Sequence, residues 1–208
     1  MKDQKPYIVG ICGGSGSGKT YLLNRILAAL PQSEITLISQ DNYYKSYDEQ
    51  IKDEEGLVNF DHPDSINLLD LKQDLRRLLA GETVDIMEYT FNNPAATAKQ
   101  IRMLPSRLMI LEGLFIYYLP EMRELIDLKI YIKAEEHVRL ARRLRRDHEE
   151  RGYSHDSVLR DYERFVAPMY HRFVAPTQQF CDLIVPNNTV IDKSVEVITD
   201  HLTQVLRT

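Results

Sequence analysis

The residues best suited to chemistry form one run, Gly13-Gly14-Ser15-Gly16-Ser17-Gly18-Lys19-Thr20. It follows the pattern of Gly, four residues, then Gly-Lys-Thr, which cradles a polyphosphate. Glycines let the backbone curl with its N–H groups turned toward anionic oxygens, because no Cβ obstructs the turn or the approaching phosphate. Lys19 is placed to reach the β- and γ-phosphates and the Thr20 hydroxyl to hold Mg²⁺. A helix starting here aims the positive end of its dipole at the same point.

Two carboxylates extend this chemistry. Glu112 ends the apolar run Arg107-Leu108-Met109-Ile110-Leu111, where an unpaired charge would be expensive, so a cation opposite Thr20 is expected. Asp41 follows the run Ile35-Thr36-Leu37-Ile38-Ser39, at the end of a strand where open α/β sheets place ligands. Phosphoryl transfer asks the protein mainly to hold an acceptor hydroxyl in line with the γ-phosphorus, and Asp41 is the candidate to accept its proton. An Asx turn is the competing use of Asp41. Asp61 is a further carboxylate suited to sugar hydroxyls, although before His62-Pro63 it also reads as a turn residue. Arg139, Arg142, Arg143, Arg145, Arg146 and Arg151 load one helical segment. Arg142, Arg143 and Arg146 share a side from which a lid could present guanidinium groups to a transferring phosphate. A solvated face paired with Glu135, Glu136, Asp147, Glu149 and Glu150 is the alternative.

The elements that position these residues are legible in the hydrophobic pattern. Tyr7 to Cys12, Ile35 to Ser39, Arg107 to Gly113, Leu128 to Ile132 and Asp182 to Val185 are short apolar runs of the kind buried on both faces of a sheet. Helical patterns separate them. Leu23, Ile26, Leu27 and Leu30 follow the glycine loop. Ser65 can cap a helix carrying Leu68, Leu69, Leu71, Leu75, Leu78 and Leu79, which Gly81 ends. Pro120 opens a short helix, the Arg-rich helix stops near Gly152, Ser154 caps a region divided by Pro168 and Pro176, and Asp192 to Leu206 closes the chain. Glu82 to Pro105 reads instead as two extended pieces about Asn92-Asn93-Pro94, a hairpin inserted into the parallel architecture. The expected fold is α/β: a three-layer α/β/α sandwich with a five-stranded parallel core, a hairpin at about 82–105 and an Arg-rich helical lid at about 139–155, in one domain spanning 1–208. Strand order does not follow from these patterns.

With 208 residues, the chain suits one ample core. A formal net charge of -5 argues against nucleic acid or an anionic membrane as an obligatory partner. No apolar stretch approaches the roughly 18 residues of a membrane span, and the run after Lys5 is short for a secretory signal, so a cytoplasmic protein is expected. Cys12 and Cys181 lie in no metal-ligand spacing, and Cys12 reads as core.

Taken together, Gly10 to Thr20, Ser39-Gln40-Asp41-Asn42-Tyr43-Tyr44, Asn59-Phe60-Asp61-His62-Pro63-Asp64, Leu111-Glu112-Gly113 and Arg142-Arg143-Leu144-Arg145-Arg146-Asp147 with Glu150-Arg151-Gly152 resemble the uridine kinase (uridine–cytidine kinase) family of phosphate-loop kinases. The pieces recur in family order from about Tyr7 to Asn188. The resemblance implies ATP-dependent, Mg²⁺-assisted transfer to the 5′-hydroxyl of a pyrimidine nucleoside in salvage, by an enzyme that is often a homotetramer. By position it makes Asp41 the base, Asp61 and Arg143 ribose contacts, and Arg146 and Arg151 lid contacts to phosphate. Tyr44, Phe60, Tyr89 and Phe91 match aromatic residues of the nucleoside pocket.

Departures cluster where the base would be read. Pro94 stands where a His is usual, Tyr153 where an Arg is common and Asp161 where a Gln is common. A lost base contact typically costs on the order of 1–3 kcal/mol. Asn92 or Asn93 offers a replacement amide. The departures motivate a second reading, a related kinase with a retuned acceptor pocket. A third is a nucleotide-dependent switch, for which Asp53-Glu54-Glu55-Gly56 superficially resembles an Asp-x-x-Gly element; it follows no apolar strand, and no Asn-Lys-x-Asp motif accompanies it.

Overall fold

Residues 5–90 and 97–208 are described by a computed structural model. Their strands are β1 (Tyr7–Cys12), β2 (Ile35–Ser39), β3 (Val84–Met87), β4 (Gln100–Met103), β5 (Leu108–Gly113), β6 (Leu128–Lys133) and β7 (Leu183–Pro186). The five apolar runs make one parallel sheet in the order β2-β5-β1-β6-β7. Side chains alternate along each strand, and the alternation assigns them to two cores. Ile8, Cys12, Met109, Leu111 and Tyr131 face one side; Val9, Ile11, Leu108, Ile110, Ile130 and Ile132 face the other.

Helices α1 (Lys19–Ala29) and α7 (Asp192–Arg207) cover the second side through Leu22, Leu23, Ile26, Val195, Ile198 and Leu202. Helix α2 (Leu68–Leu79) covers the first through Leu68, Leu71, Leu75 and Leu78, each burial worth roughly 1.5–3 kcal/mol. Leu69 faces solvent. Gly10 in β1 is required by Tyr117, whose hydroxyl would lie 2.7 Å from a Cβ there. That hydroxyl instead donates to Gly10 O (2.6 Å) and accepts from Ile130 N (2.9 Å), tying β1 to β6.

Two local expectations change. Asn67, not Ser65, precedes α2. The Ser65 hydroxyl is spent donating to Asn59 O (2.6 Å), and this fixes the turn that carries Asp61. Pro168 does not divide its region either. The backbone stays helical through α6 (Ala167–Met169) by widening into π-type turns at Tyr162–Val166 and Tyr170–Val174, which accommodates the missing proline N–H. Gly81 and Gly152, both at positive φ, follow α2 and α4 (Glu136–Glu149) as expected.

The hairpin is β3 paired antiparallel with β4. It is anchored beside edge strand β2 by the Thr36 hydroxyl, which reaches Leu104 O and Ser106 Oγ. Its Asn/Pro turn, including Phe91 and Pro94, lies outside the described residues. Short helices α3 (Pro120–Arg123) and α5 (His155–Asp161) complete the chain. Ser154 caps α5, accepting from Ser157 N (3.2 Å).

Candidate active site

In the sheet order, the chain runs from β1 out to β2, returns through β5 and then crosses β1 to β6 and β7, so its connections reverse direction beside β1. The crevice beyond the carboxyl ends of strands at such a point is where open α/β sheets bind ligands. The glycine loop leaves the end of β1, Glu112 lies near the end of β5, and Asp41 follows β2, so three adjacent strands deliver them to one edge. Two strand spacings separate β2 from β1, roughly 10 Å. That span accommodates a hydroxyl and a terminal phosphate.

Beyond this edge opens a cleft of about 1290 Å³ lined by Ser15, Gly16, Gly18, Lys19 and Thr20, by Asp41 and Glu112, and by Arg142, Arg143, Arg146 and Arg151. Gly13, Gly14 and Ser17 are buried behind the loop rather than on the cleft wall. Gly16 and Gly18 hold positive φ (75° and 100°) in places where a Cβ would strike the Arg139 carbonyl and the Asn187 amide respectively. Asn187 Nδ2 in turn donates to Ser17 O (2.7 Å), pinning the loop from the end of β7. Lys19 Nζ folds back on Gly13 O (2.9 Å) and Gly14 O (3.3 Å).

Ser39 organises the acidic pair. Its hydroxyl donates to Glu112 Oε1 (2.5 Å) and accepts from Asp41 N (3.4 Å), so Ser39 caps the turn and the Asp41 side chain is turned to the cleft. Desolvation pushes the Asp41 carboxyl up from its ordinary range, and Lys19, Arg151 and Arg146 oppose that shift. Glu112 is raised by desolvation and then by Asp41, with Lys19 opposing. Two desolvated acids next to one lysine form a site that gains from added positive charge.

Asp61 is set by the turn before α2. Its amide donates to Asn59 Oδ1 (3.1 Å), while Pro63 begins a short helical turn. The carboxylate lies 3.7 Å from Arg143 Nη1, and Arg143 also donates to Ser15 Oγ (3.1 Å). Arg143 therefore bridges the phosphate loop and the turn that carries Asp61. Tyr44 packs between Phe60 (6.1 Å) and Tyr89 (5.1 Å). Tyr89 N donates to Asn42 Oδ1 (3.2 Å), carrying the hairpin's aromatic onto the wall. Burial, then Asp41 and Asp61, push the Tyr44 phenol well up, so it stays a neutral donor.

The Arg-rich helix combines the two alternatives read in its sequence. Asp147, 3% exposed, gathers Arg143 (3.2 Å), Arg146 (2.8 Å) and Arg151 (3.3 Å). One buried carboxylate holds three guanidiniums on the cleft wall. The arginines are thus both paired and presented. Sequence reasoning missed Tyr47, which packs on Phe60 (6.5 Å) and lines the cleft, and missed Tyr21, Asn187, Thr189 and Val190, which line it as well. The Asp-x-x-Gly resemblance dissolves into a surface turn. Asp53 Oδ1 accepts from Glu55 N (3.0 Å) and Leu57 N (2.9 Å), and Arg164 clamps Asp53 and Glu55 from the helical region.

A family model described as Phosphoribulokinase / Uridine kinase family matches residues 8–194. The chain belongs to the phosphoribulokinase/uridine kinase family. It is a kinase, a phosphotransferase of that family. A uridine kinase from Streptococcus gordonii is 36% identical over 203 residues, covering 98% of this chain and 97% of that protein. One from Lactobacillus johnsonii is 35% identical over 209 residues, covering 100% and 99%. The phosphoribulokinase from Rhodobacter spheroides shares the fold with a TM-score of 0.66 at 18% identity, over 88% of this chain and 70% of that one. The three-layer architecture expected from the strand pattern is the architecture of this kinase family. Among the described residues no helix is long and apolar enough to cross a membrane.

Proposed function

We propose that the chain transfers the γ-phosphoryl group of ATP to the 5′-hydroxyl of uridine or cytidine, yielding UMP or CMP. The observation that carries this reading is the shared cleft. Asp41, the phosphate loop and the Tyr44, Phe60 and Tyr89 wall face one space, and Asp61 and Arg143 lie between them. The aromatic wall suits a flat base, Asp61 and Arg143 suit ribose hydroxyls, and Asp41 takes the proton of the attacking hydroxyl. Arg146 and Arg151 neutralise charge on the transferring group, and Arg142, beside Gly16 and Ser17, steadies the phosphates.

The donor set fits Mg²⁺. Thr20 supplies a hydroxyl and Glu112 a desolvated carboxylate on the same cleft, and bound phosphates would complete the oxygen ligands. Such an ion, held by Thr20 and Glu112, would supply charge neutralisation for the bound phosphates. The family resemblance extends the reading to a cytoplasmic homotetramer working in pyrimidine salvage, in which 1–208 act as one kinase domain with the hairpin and Arg-rich lid as its parts.

Tyr153 and Asp161 line the same cleft and favour the second reading, a related kinase with a different acceptor. A phosphorylation assay of the purified protein over a panel of nucleosides, sugars and other alcohols separates the two. Uridine and cytidine are expected to support turnover at least about tenfold above every other acceptor, a margin of about 1.4 kcal/mol in transition-state binding. Phosphorylation of another alcohol with neither pyrimidine nucleoside accepted would establish the second reading instead.

A further inference from the structure

Arg139 stands apart from the other arginines of α4. It does not line the cleft and is 1% exposed, yet it touches the phosphate loop from behind. Its carbonyl lies against Gly16, and its Nη1 would be 2.8 Å from a Cβ on Gly14. The guanidinium plane stacks on the Tyr170 ring at 3.7 Å from the centroid, and the Tyr170 hydroxyl is held by Tyr131 (3.2 Å). Both Nε and Nη1 are buried without a hydrogen-bond partner. Among the described residues no carboxylate lies within 4 Å of it, and nearby Glu136 faces His171 instead (3.7 Å).

A buried cation without a counter-charge is strongly unfavourable. A cation–π stack recovers only part of that cost. The site that would complete the balance lies across the loop, on the cleft side at Ser15 and Gly16. We propose that Arg139 is a positioning residue for nucleotide binding, a fixed cation behind the phosphate loop whose counter-ion is the polyphosphate bound in front. It acts through the loop and touches no substrate. Burial shields its charge from solvent and salt, so its field at the loop exceeds that of an exposed arginine. This rests on the reading that ATP occupies the loop.

The test is Mg²⁺–ATP binding by calorimetry without any acceptor, together with the melting temperature of the nucleotide-free protein. Arg139→Met keeps the bulk and removes the charge. Its Kd for ATP is expected to rise about tenfold or more, while its nucleotide-free melting temperature equals or exceeds that of the wild type. Arg139→Lys retains the charge and is expected to bind within about threefold of the wild type. Arg139→Gln carries the same expectation as the Met variant if that variant does not fold. A purely structural residue would show the reverse, a lower melting temperature with ATP affinity intact, and that result would overturn the proposal. So would equal weakening by Lys and Met. If wild type and Arg139→Met bind ATP equally, this inference alone fails; if the wild type does not bind ATP at all, the functional reading fails with it.

Discussion

Replacing Asp41 by Asn is expected to lower kcat for nucleoside phosphorylation by about 10³-fold while ATP binding persists, because a positioned general base contributes on the order of 10²–10⁴. The amide is close in size to the carboxylate, so Ser39 can keep the turn and only the proton acceptor is lost. The pH profile of the wild type gives an independent readout. If Asp41 is the base, as proposed, activity requires its ionised form, and burial raises its pKa above the ordinary 3.8, so kcat/KM should fall on an acid limb displaced upward from the usual carboxylate range. Asp41→Asn should lack that limb. Stability moves the opposite way. A carboxyl whose pKa is raised by folding stabilises the native state fully below its unfolded pKa, and this contribution is lost as pH rises through the raised value. At neutral pH the ionised group therefore opposes folding, and Asp41→Asn should melt above the wild type. Unchanged activity in the variant, or a profile with the same acid limb, would contradict the assignment.

Arg146→Ala is expected to lower kcat by about 10³-fold as well, the lower end of what a guanidinium on a transferring phosphate supplies. Arg146 is held by Asp147 through its Nε (2.8 Å), which leaves the terminal nitrogens toward the cleft. Asp147 is buried and shared with Arg143 and Arg151, so the guanidinium is oriented before any phosphate arrives. Preorganised charge of this kind acts on the transition state more than on the bound nucleotide. The loss should therefore fall on kcat, with KM for ATP changed by less than about tenfold. Arg146→Lys should restore little, because a point charge cannot keep the Asp147 contact and also present a planar fork. A loss confined to KM for ATP would make Arg146 a ground-state binder instead.

Much of this arrangement is legible in the sequence. Continuous apolar runs such as Leu108 to Leu111 marked strands buried on both faces, and the glycine loop sat between one such run and a helix. Alternating strands and helices then gave the layers. Strand order was not readable, since a strand buried on both sides carries no mark of its neighbours; close fits such as Gly10 on Tyr117, or Gly113 against Gln40, express that choice.

The candidate site divided in the same way. Asp41 and Glu112 announce themselves as charges at strand ends, Asp61 as a carboxylate in a turn, and the arginines by their clustering on one helix. Asn187 and Tyr47 did not, because an amide after a strand and an aromatic in a polar loop have no period or motif. Arg139 was visible only as one of six arginines, and nothing in helical spacing separates a buried cation from its solvated neighbours. Ser65 was misread for a related reason. A serine before a helix commonly caps it, but tertiary contact with Asn59 took the hydroxyl first. The Asp147 cluster reconciled two readings that sequence had set against each other.

A structure of the enzyme with uridine and a non-hydrolysable ATP analogue tests the central claim most directly. The account predicts the 5′-oxygen of the nucleoside within hydrogen-bond reach of an Asp41 carboxylate oxygen, about 2.6–3.2 Å, and in line with the γ-phosphorus held by Lys19. A nucleoside bound with its 5′-hydroxyl turned from Asp41, or with Asp41 directed to bulk water while the phosphates occupy the loop, would contradict it.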